Sequence, residues 1–519
     1  MSEKKLAKNI SVMSSAILLS RILGLVRDQV MAFCFGTTFL TDAFVVGYRI
    51  PNLLRRLFGE GALSAAFVPI YNEMGIRGDR QKQITFALQI LGILTFFLLI
   101  MTVLGIIFAP WIVKAIFPGL PSHTYSLAVV LTRIMFPYLL WIGLSSTMIA
   151  ILNSHDRFFM TGLSSALLNL GMILSLVIPR FILGIEGVEL TRWAAWGVFV
   201  GGFLQTVINF PYLKQLGYHF KLMIRFGGEA LSTLWKRFIP SLIGVGIREL
   251  NLIADSLMAS FLAVGSISAL EYGNRLFQLP LGIFAISAGT VLLPTYSRLV
   301  TKQDYPELSK NLRFAAVSLA YVMLPIMTLI VVLGGDVVRI LFERGAFDAK
   351  ATVWTRDALI FYSVGLIFFS LNQTLTPLFF ANKDTKTPVK IAGRMVLLNI
   401  ILNFVLMQFM QHRGLALASS LTAIATYFLL LRNIRRQLPQ IDFSGILPNI
   451  LKALLICVVL LALLLGANHL IPPLGVGLLI VKVAALSAAS LAIFYLLGRL
   501  LKLDYLKNAL NFAWKKRLN

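Results

Sequence analysis

Apolar stretches of about 20 residues or more recur from one end of this chain to the other, and a hydrocarbon bilayer is the environment that such runs fit. Of 519 residues, 58% are hydrophobic and 13% charged, against about 25% charged in soluble proteins. No large soluble domain fits between the runs. The alternation of a β-barrel strand is absent, and "VVLLALLLG" at 458–466 would make little sense in one. The chain reads as an all-α polytopic membrane protein.

The runs place about fourteen spans, near 9–35, 40–72, 84–112, 125–152, 158–181, 190–212, 238–263, 267–297, 311–342, 355–381, 388–409, 414–434, 446–470 and 475–499. The net charge of +25 invites a nucleic-acid reading, but most Lys and Arg sit in short loops on alternate sides of the runs. Loops after even-numbered spans and both termini hold about 30 of them, the opposite loops about 8, so both termini are expected in the cytoplasm. The basic start "MSEKKLAKNI" has no small-residue cleavage site after the first apolar run and reads as retained. Cys34 and Cys457 lie far apart inside apolar runs and imply neither a disulfide framework nor a metal site.

Two echoes occur at nearly one offset. "SAAFVPIY" at 64–71 returns as "GTVLLPTY" at 289–296, and "ILNSHDRF" with "ALLNL" (151–170) returns as "FFANKDTKTP" with "VLLNI" (379–400). A duplicated six-helix unit is expected, with its copies parallel because the helix count per copy is even. The expected division is 1–236 for an N-terminal lobe and its cytoplasmic amphipathic linker, 237–440 for a C-terminal lobe, and 441–519 for two further spans and a basic tail.

A charged side chain at the middle of a membrane helix costs about 3 kcal/mol even on lenient scales, yet the first span carries Arg21, Arg27 and Asp28. Arg21 and Asp28 are two turns apart and share a face; Arg27 projects about 100° away from Asp28. In the second span Asp42, Arg49 and Arg56 recur every seven residues, with Arg55 beside the last and Pro51 to kink the helix. Arg56 and Glu60 have i,i+4 spacing. Five arginines against three acids leave an excess of positive charge, and on a lipid face the five would cost on the order of 10–15 kcal/mol. They suit a water-filled path and a phosphate, which guanidinium grips bidentately. Snorkelling and structural ion pairs remain the alternative, above all for Arg49 and Arg56.

The second copy is balanced: Arg248, Glu249 and Asp255 in span 7, then Glu271 and Arg275 at i,i+4 in span 8. Asp255 with Asn399 and Asn403 forms a candidate sodium site of oxygen donors, or else the two asparagines only pack helices. Spans 13 and 14 hold little charge besides Lys482; they either offer a surface to a lipid chain or brace the bundle. The tail from 501 reads as a basic amphipathic helix on the inner membrane surface. No GxxxxGK[ST] and no HExxH motif occurs, so neither a nucleotide motor nor a metalloprotease is indicated.

"SRILGLVRDQVMAFCFG", "TDAFVVGYRIPNLLRRLFGEGALSAAFVPIY", "NRLFQLPLGIFAISAGTVLLPTYS" and "NKDTKTPVKI" resemble the signatures of the MurJ (MviN) family, the lipid II flippases of the multidrug/oligosaccharidyl-lipid/polysaccharide exporter superfamily. The resemblance runs over essentially the whole chain. It implies two six-helix lobes around a central cavity, a groove at the last two helices, and no enzymatic reaction. The implied substrate is undecaprenyl-diphosphate bearing a disaccharide-pentapeptide, moved to the outer leaflet of the bacterial cytoplasmic membrane by alternating access and driven by membrane potential or a coupling ion such as sodium. The implied partners are this lipid and membrane lipids, with the monomer as the working unit. The implied substrate-binding residues are Arg21, Arg27, Asp28, Asp42, Arg55 and Arg275; the implied sodium site is Asp255, Asn399 and Asn403. Some members are acidic where this chain has Asn274, Gln278 and Asn403. The nearest rival function is flipping of another polyprenyl-diphosphate glycan, such as an O-antigen or capsule unit.

Overall fold

Every apolar run becomes a helix, because in hydrocarbon a backbone must satisfy its own hydrogen bonds, and no β-strand occurs among the described residues. The structure, a computed structural model, describes residues 3–57, 62–155, 157, 159–219, 223–472 and 475–503. The tail beyond Leu503 and Glu60, the expected partner of Arg56, lie outside them.

The chain divides into two compact units: Met1–Ser268 with Arg344–Phe347, and Ala269–Glu343 with Asp348–Asn519. The first holds α1 (Glu3–Phe35), α2 (Phe39–Arg55), α3 (Ala62–Ile76), α4 (Arg80–Ile116), α5 (Ser122–Met135), α6 (Tyr138–Ser154), α7 (Phe159–Phe181), α8 (Gly187–Val207), the short α9 (Phe210–Gln215) and α10 (Glu229–Ser260). Helix α11 (Ser266–Pro280) begins at its edge. After it come a π-helical turn (Leu281–Ile286), α12 (Ser287–Thr301), α13 (Tyr305–Phe342), α14 (Ala349–Ser363), α15 (Leu366–Ala381), α16 (Lys386–Met410), α17 (His412–Gln437), α18 (Ile446–Leu470) and α19 (Val476–Leu500). The π turn follows Pro280, whose ring removes a backbone donor and breaks the α register there.

Among the described residues nine helical stretches are long and apolar enough to cross a bilayer, or eleven if α5–α6 and α14–α15, bent by 41° and 42°, each count as one. The count of fourteen is therefore not reproduced on this criterion. The three expected spans that do not qualify, near 9–35, 40–72 and 238–263, carry the candidate residues Arg21, Arg27, Asp28, Asp42, Arg55 and Asp255, whereas Arg275 lies in a stretch that does qualify. Helix α2 has only 17 residues, and residues 18–35 of α1 and 238–255 of α10 each hold three charged side chains.

The offset of the two sequence echoes recurs in local geometry. Asp79 and Asp304, 225 positions apart, each cap the following helix, accepting from the backbone N–H of Lys82 and of Glu307, both at 3.1 Å. The helices they start, α4 and α13, are 37 and 38 residues long, and each leads into one of the two bent pairs. Tyr71 and Tyr296, at the ends of the two echoed segments, are both fully buried.

In the first unit α7 and α8 approach closely enough that a Cβ on Gly171 would lie 2.8 Å from the Gly201 backbone. Helix α1 packs on α7 of that pair. Helix α10 packs on α3. The segment Arg344–Phe347 docks on the end of α1, where the Ala346 N–H donates to the Phe33 carbonyl at 2.9 Å. Gly36, in the left-handed region at φ +58°, lies so near the Ala346 carbonyl oxygen that no side chain fits.

In the second unit, α18 and α19 pack on α13 along one side only. Just 28% and 11% of their apolar windows are buried. Leu447, Leu451, Leu455, Leu478 and Val481 are more than half exposed, an arrangement that only lipid makes stable.

Candidate functional site

Helix α1 carries its charges deep: at 1.5 Å per residue, Arg27 lies about 12 Å and Arg21 about 21 Å from the helix end at Phe35. Arg27 is 8% exposed. Its Nε and Nη2 donate to one Asp28 oxygen, at 3.1 and 2.7 Å, and its Nη1 donates to Asn169 Oδ1 at 2.9 Å. Neighbouring positions on a helix point apart, yet the long arginine stem folds back far enough to reach Asp28. Asn169, on α7, is the residue that the charged pattern missed. Its Nδ2 donates to the carbonyls of Ser20 and Ser165, both at 3.2 Å, so one amide fixes the guanidinium and also ties α7 to the α1 backbone. A signal was present: Asn169 is the asparagine of "ALLNL", the repeated polar position inside an apolar run.

Arg21 is exposed, on a stripe it shares with Leu18, Leu19, Ile22 and Val26. On the second helix, Arg55 is half-buried and its Nε donates to Asn52 Oδ1 at 2.8 Å. Arg49 reaches Ser256 Oγ on α10 at 2.6 Å, and Arg56 stands 3.7 Å from the buried carboxylate of Glu249. The latter two stitch α2 to α10, in keeping with the structural alternative for them.

Asp42 is placed differently from the arginines. It is 3% exposed and accepts from Gly265 N–H at 2.6 Å and from Ser268 N–H and Oγ at 2.9 and 2.7 Å. These donors belong to the turn that opens α11, where backbone N–H groups and the helix dipole favour an anion. Its carboxylate therefore anchors that turn within the first unit.

In the second unit Arg275 pairs with Glu271 at 3.4 Å, the expected i,i+4 partner, while remaining about half exposed. Asn399, the asparagine of "VLLNI", is fully buried and accepts from Asn403 Nδ2 at 2.9 Å; its own Nδ2 reaches Thr422 Oγ1 at 3.4 Å. Asp255, in the first unit, is half-buried and accepts from Asn251 at 3.4 Å. Among the described residues no group of three or more His, Cys, Asp or Glu side chains is arranged to hold a metal ion.

Two ionic contacts were not foreseen. Lys482 on α19, 9% exposed, bonds Asp336 on α13 at 2.7 Å. Asp357, with an 8% exposed side chain, is held between Arg356 at 2.7 Å and Arg413 at 2.6 Å.

Over residues 31–485 the chain matches the family described as lipid II flippase MurJ. It is 33% identical to the probable lipid II flippase MurJ of Buchnera aphidicola subsp. Baizongia pistaciae, over 89% of this chain and 91% of that one. It is 34% identical to the probable lipid II flippase MurJ of Vibrio cholerae, over 84% of each. Among solved structures it is similar to a lipid II flippase MurJ in an inward closed conformation, with TM-score 0.80, 27% identity, and coverage of 94% and 99% of the two chains. It also has the fold of an inward-facing multidrug resistance MATE family transporter of the MOP superfamily, with TM-score 0.69 at 12% identity, over 84% of this chain and 99% of that one. With a match spanning most of its length, relatives above 30% identity, and a multi-pass helical body, the chain belongs to the MurJ lipid II flippase family.

Proposed function

We propose that this chain is a lipid II flippase, moving undecaprenyl-diphosphate-linked peptidoglycan precursor from the inner to the outer leaflet of the bacterial cytoplasmic membrane by alternating access, with both termini in the cytoplasm. The observation that carries the reading is the likeness to lipid II flippases along nearly the whole chain. The chemistry of α1 and α2 supports it. Arg21, Arg27 and Arg55 offer guanidinium groups at different depths, and a diphosphate is the lipid headgroup that guanidinium binds best. Asp28 holds Arg27 in the absence of substrate, so a phosphate must compete with a carboxylate and release stays fast. Arg275, held by Glu271 in the same way, is a further contributor from α11. The division into transport lobes at residue 236, action as a monomer, and coupling to sodium or another ion are proposed with it. Asp255 supplies the carboxylate suited to a hard cation.

The test is expression in bacteria depleted of their own lipid II flippase, with lipid II in the outer leaflet measured by its accessibility to an external reagent. Restored accessibility is the expected result. Correct insertion with no restoration would move the reading to another polyprenyl-diphosphate glycan.

A further inference from the structure

At one end of the second unit α13 stops at Phe342, α14 starts at Ala349, α16 stops at Met410 and α17 starts at His412. With both termini in the cytoplasm, as proposed above, this is the outer end, where the positive-inside bias leaves few cations. Lys350, Arg356 and Arg413 nevertheless lie there. Lys350 Nζ stands over the Trp354 ring at 4.7 Å, and Trp354 stacks on the buried His412 at 5.2 Å. An aromatic ring with a lysine at a helix end is the pattern of the headgroup layer.

Arg356 lies deeper, about 10 Å below the start of α14. Its stem runs past Gly335 of α13, where a Cβ would be 3.1 Å from Arg356 Cδ. Its Nε and Nη2 both donate to Asp357 Oδ1, at 2.9 and 2.7 Å. Its Nη1 stays accessible and has no partner among the described residues. Arg413 Nη2 comes within 2.6 Å of Asp357 Oδ2, yet no hydrogen bond is aligned on that oxygen. Charge alone holds Arg413 there, and its N–H groups are not aimed at the carboxylate.

The two guanidinium side chains are 42% and 47% exposed, whereas the Asp357 side chain is 8% exposed. One buried carboxylate thus answers two arginines, and a surplus of one positive charge stands on the accessible side. In bulk water that surplus is cheap. Beside hydrocarbon it is costly unless water or an anion meets it.

We propose that Arg356 and Arg413 form a site for the phosphodiester of an anionic phospholipid of the outer leaflet, a resident lipid of the bilayer and not the transported one. A monoanionic phosphodiester balances the surplus, and its two free oxygens suit the donors that Asp357 leaves unused. A diphosphate brings more negative charge than the surplus and would be set against the Asp357 carboxylate. Lys350 lies about 9 Å further toward the helix start, engaged with Trp354. The placement in the outer leaflet rests on the reading that both termini are cytoplasmic.

The test follows the unfolding midpoint of the purified full chain in detergent as lipid is added. Phosphatidylglycerol should stabilise wild type with about tenfold higher affinity than phosphatidylcholine, and Arg413→Gln should lose that preference, the worth of one charge-assisted hydrogen bond. Asp357→Asn removes the competing carboxylate: the lipid-free chain should melt earlier, yet bind phosphatidylglycerol at least as tightly as wild type. Equal preference in wild type and Arg413→Gln would overturn the site and leave a structural ion network. A shift by millimolar inorganic phosphate that Arg413→Gln abolishes would overturn the lipid as its source. Undecaprenyl diphosphate should stabilise wild type and Arg413→Gln alike, and its loss in the variant would give the corner to the transported lipid instead. In cells, Lys350→Cys should react with an impermeant maleimide from outside, against the parent chain as background. Reaction only after permeabilisation would overturn the outer placement and the orientation in the functional reading, and would leave the phosphodiester site standing.

Discussion

Asn169 of α7 accepts a hydrogen bond of 2.9 Å from the Arg27 guanidinium of α1, and through its other amide atom donates to the Ser20 carbonyl of that same helix. One neutral side chain thus completes the coordination of a buried charge that Asp28 alone leaves partly unsatisfied. Asn169→Ala is expected to cost about 1–3 kcal/mol, the range for a lost hydrogen bond to a charged group. A lower unfolding midpoint for Asn169→Ala, with little change for Leu170→Ala on the exposed side of α7, checks it.

Much of this was legible beforehand, for identifiable reasons. Apolar run length gives the helical membrane class, because the bilayer admits few alternatives. The echoes at 64–71 and 289–296 share their offset of 225 positions with the matched helix caps Asp79 and Asp304. The i,i+4 pair of Glu271 and Arg275 could be read from spacing, since it is local to one helix. The partners of Arg27, Arg56 and Lys482 on other helices could not: Asn169, Glu249 and Asp336 lie more than 140 residues away in each case, and no local periodicity links them. The partners of Asp42 were likewise out of reach of local spacing: its carboxylate accepts from Gly265 and Ser268, more than 220 residues away.

The pair of Lys482 and Asp336 predicts a non-additive pattern. Lys482→Leu alone strands a carboxylate that is only 23% exposed, and breaking such a pair costs about 3–5 kcal/mol. The double variant with Asp336→Leu should recover most of that loss in a thermal melt. Losses that simply add would mean the contact does not brace α19 on α13.

Gly36 predicts a local effect. Gly36→Ala meets both an unfavourable φ and the Ala346 carbonyl oxygen, so the bond from Ala346 N–H to Phe33 should open. Amide hydrogen exchange at Ala346 should then rise at least tenfold, about 1.4 kcal/mol of lost protection. Gly184→Ala, at φ +68° with open space around it, should leave that amide unchanged.

Asp384 gives a pH signature outside the membrane. It accepts from Lys386 and Thr387 N–H at 3.0 and 2.9 Å and from Gln437 Nε2 at 2.6 Å; the Thr387 side chain leads, and these bonds add, in pulling its carboxyl down to about 2. Because this lies below the ordinary value of about 3.9, its contribution is full above that value and is lost as pH falls toward about 2. Exchange of the Lys386 and Thr387 amides should speed up across that window in wild type. In Asp384→Asn the acid-induced change should disappear.

The most direct measurement is outer-leaflet lipid II in flippase-depleted bacteria expressing Arg27→Ala, set against wild type at matched protein level. If Arg27 handles the diphosphate, accessibility should fall at least tenfold, as expected for a lost bidentate charge contact of about 1.5–3 kcal/mol. Asn169→Ala, which keeps the guanidinium, should retain more activity than Arg27→Ala. Full accessibility with Arg27→Ala would contradict the account: the buried arginine would then be a structural ion pair, and the path of the lipid would lie elsewhere.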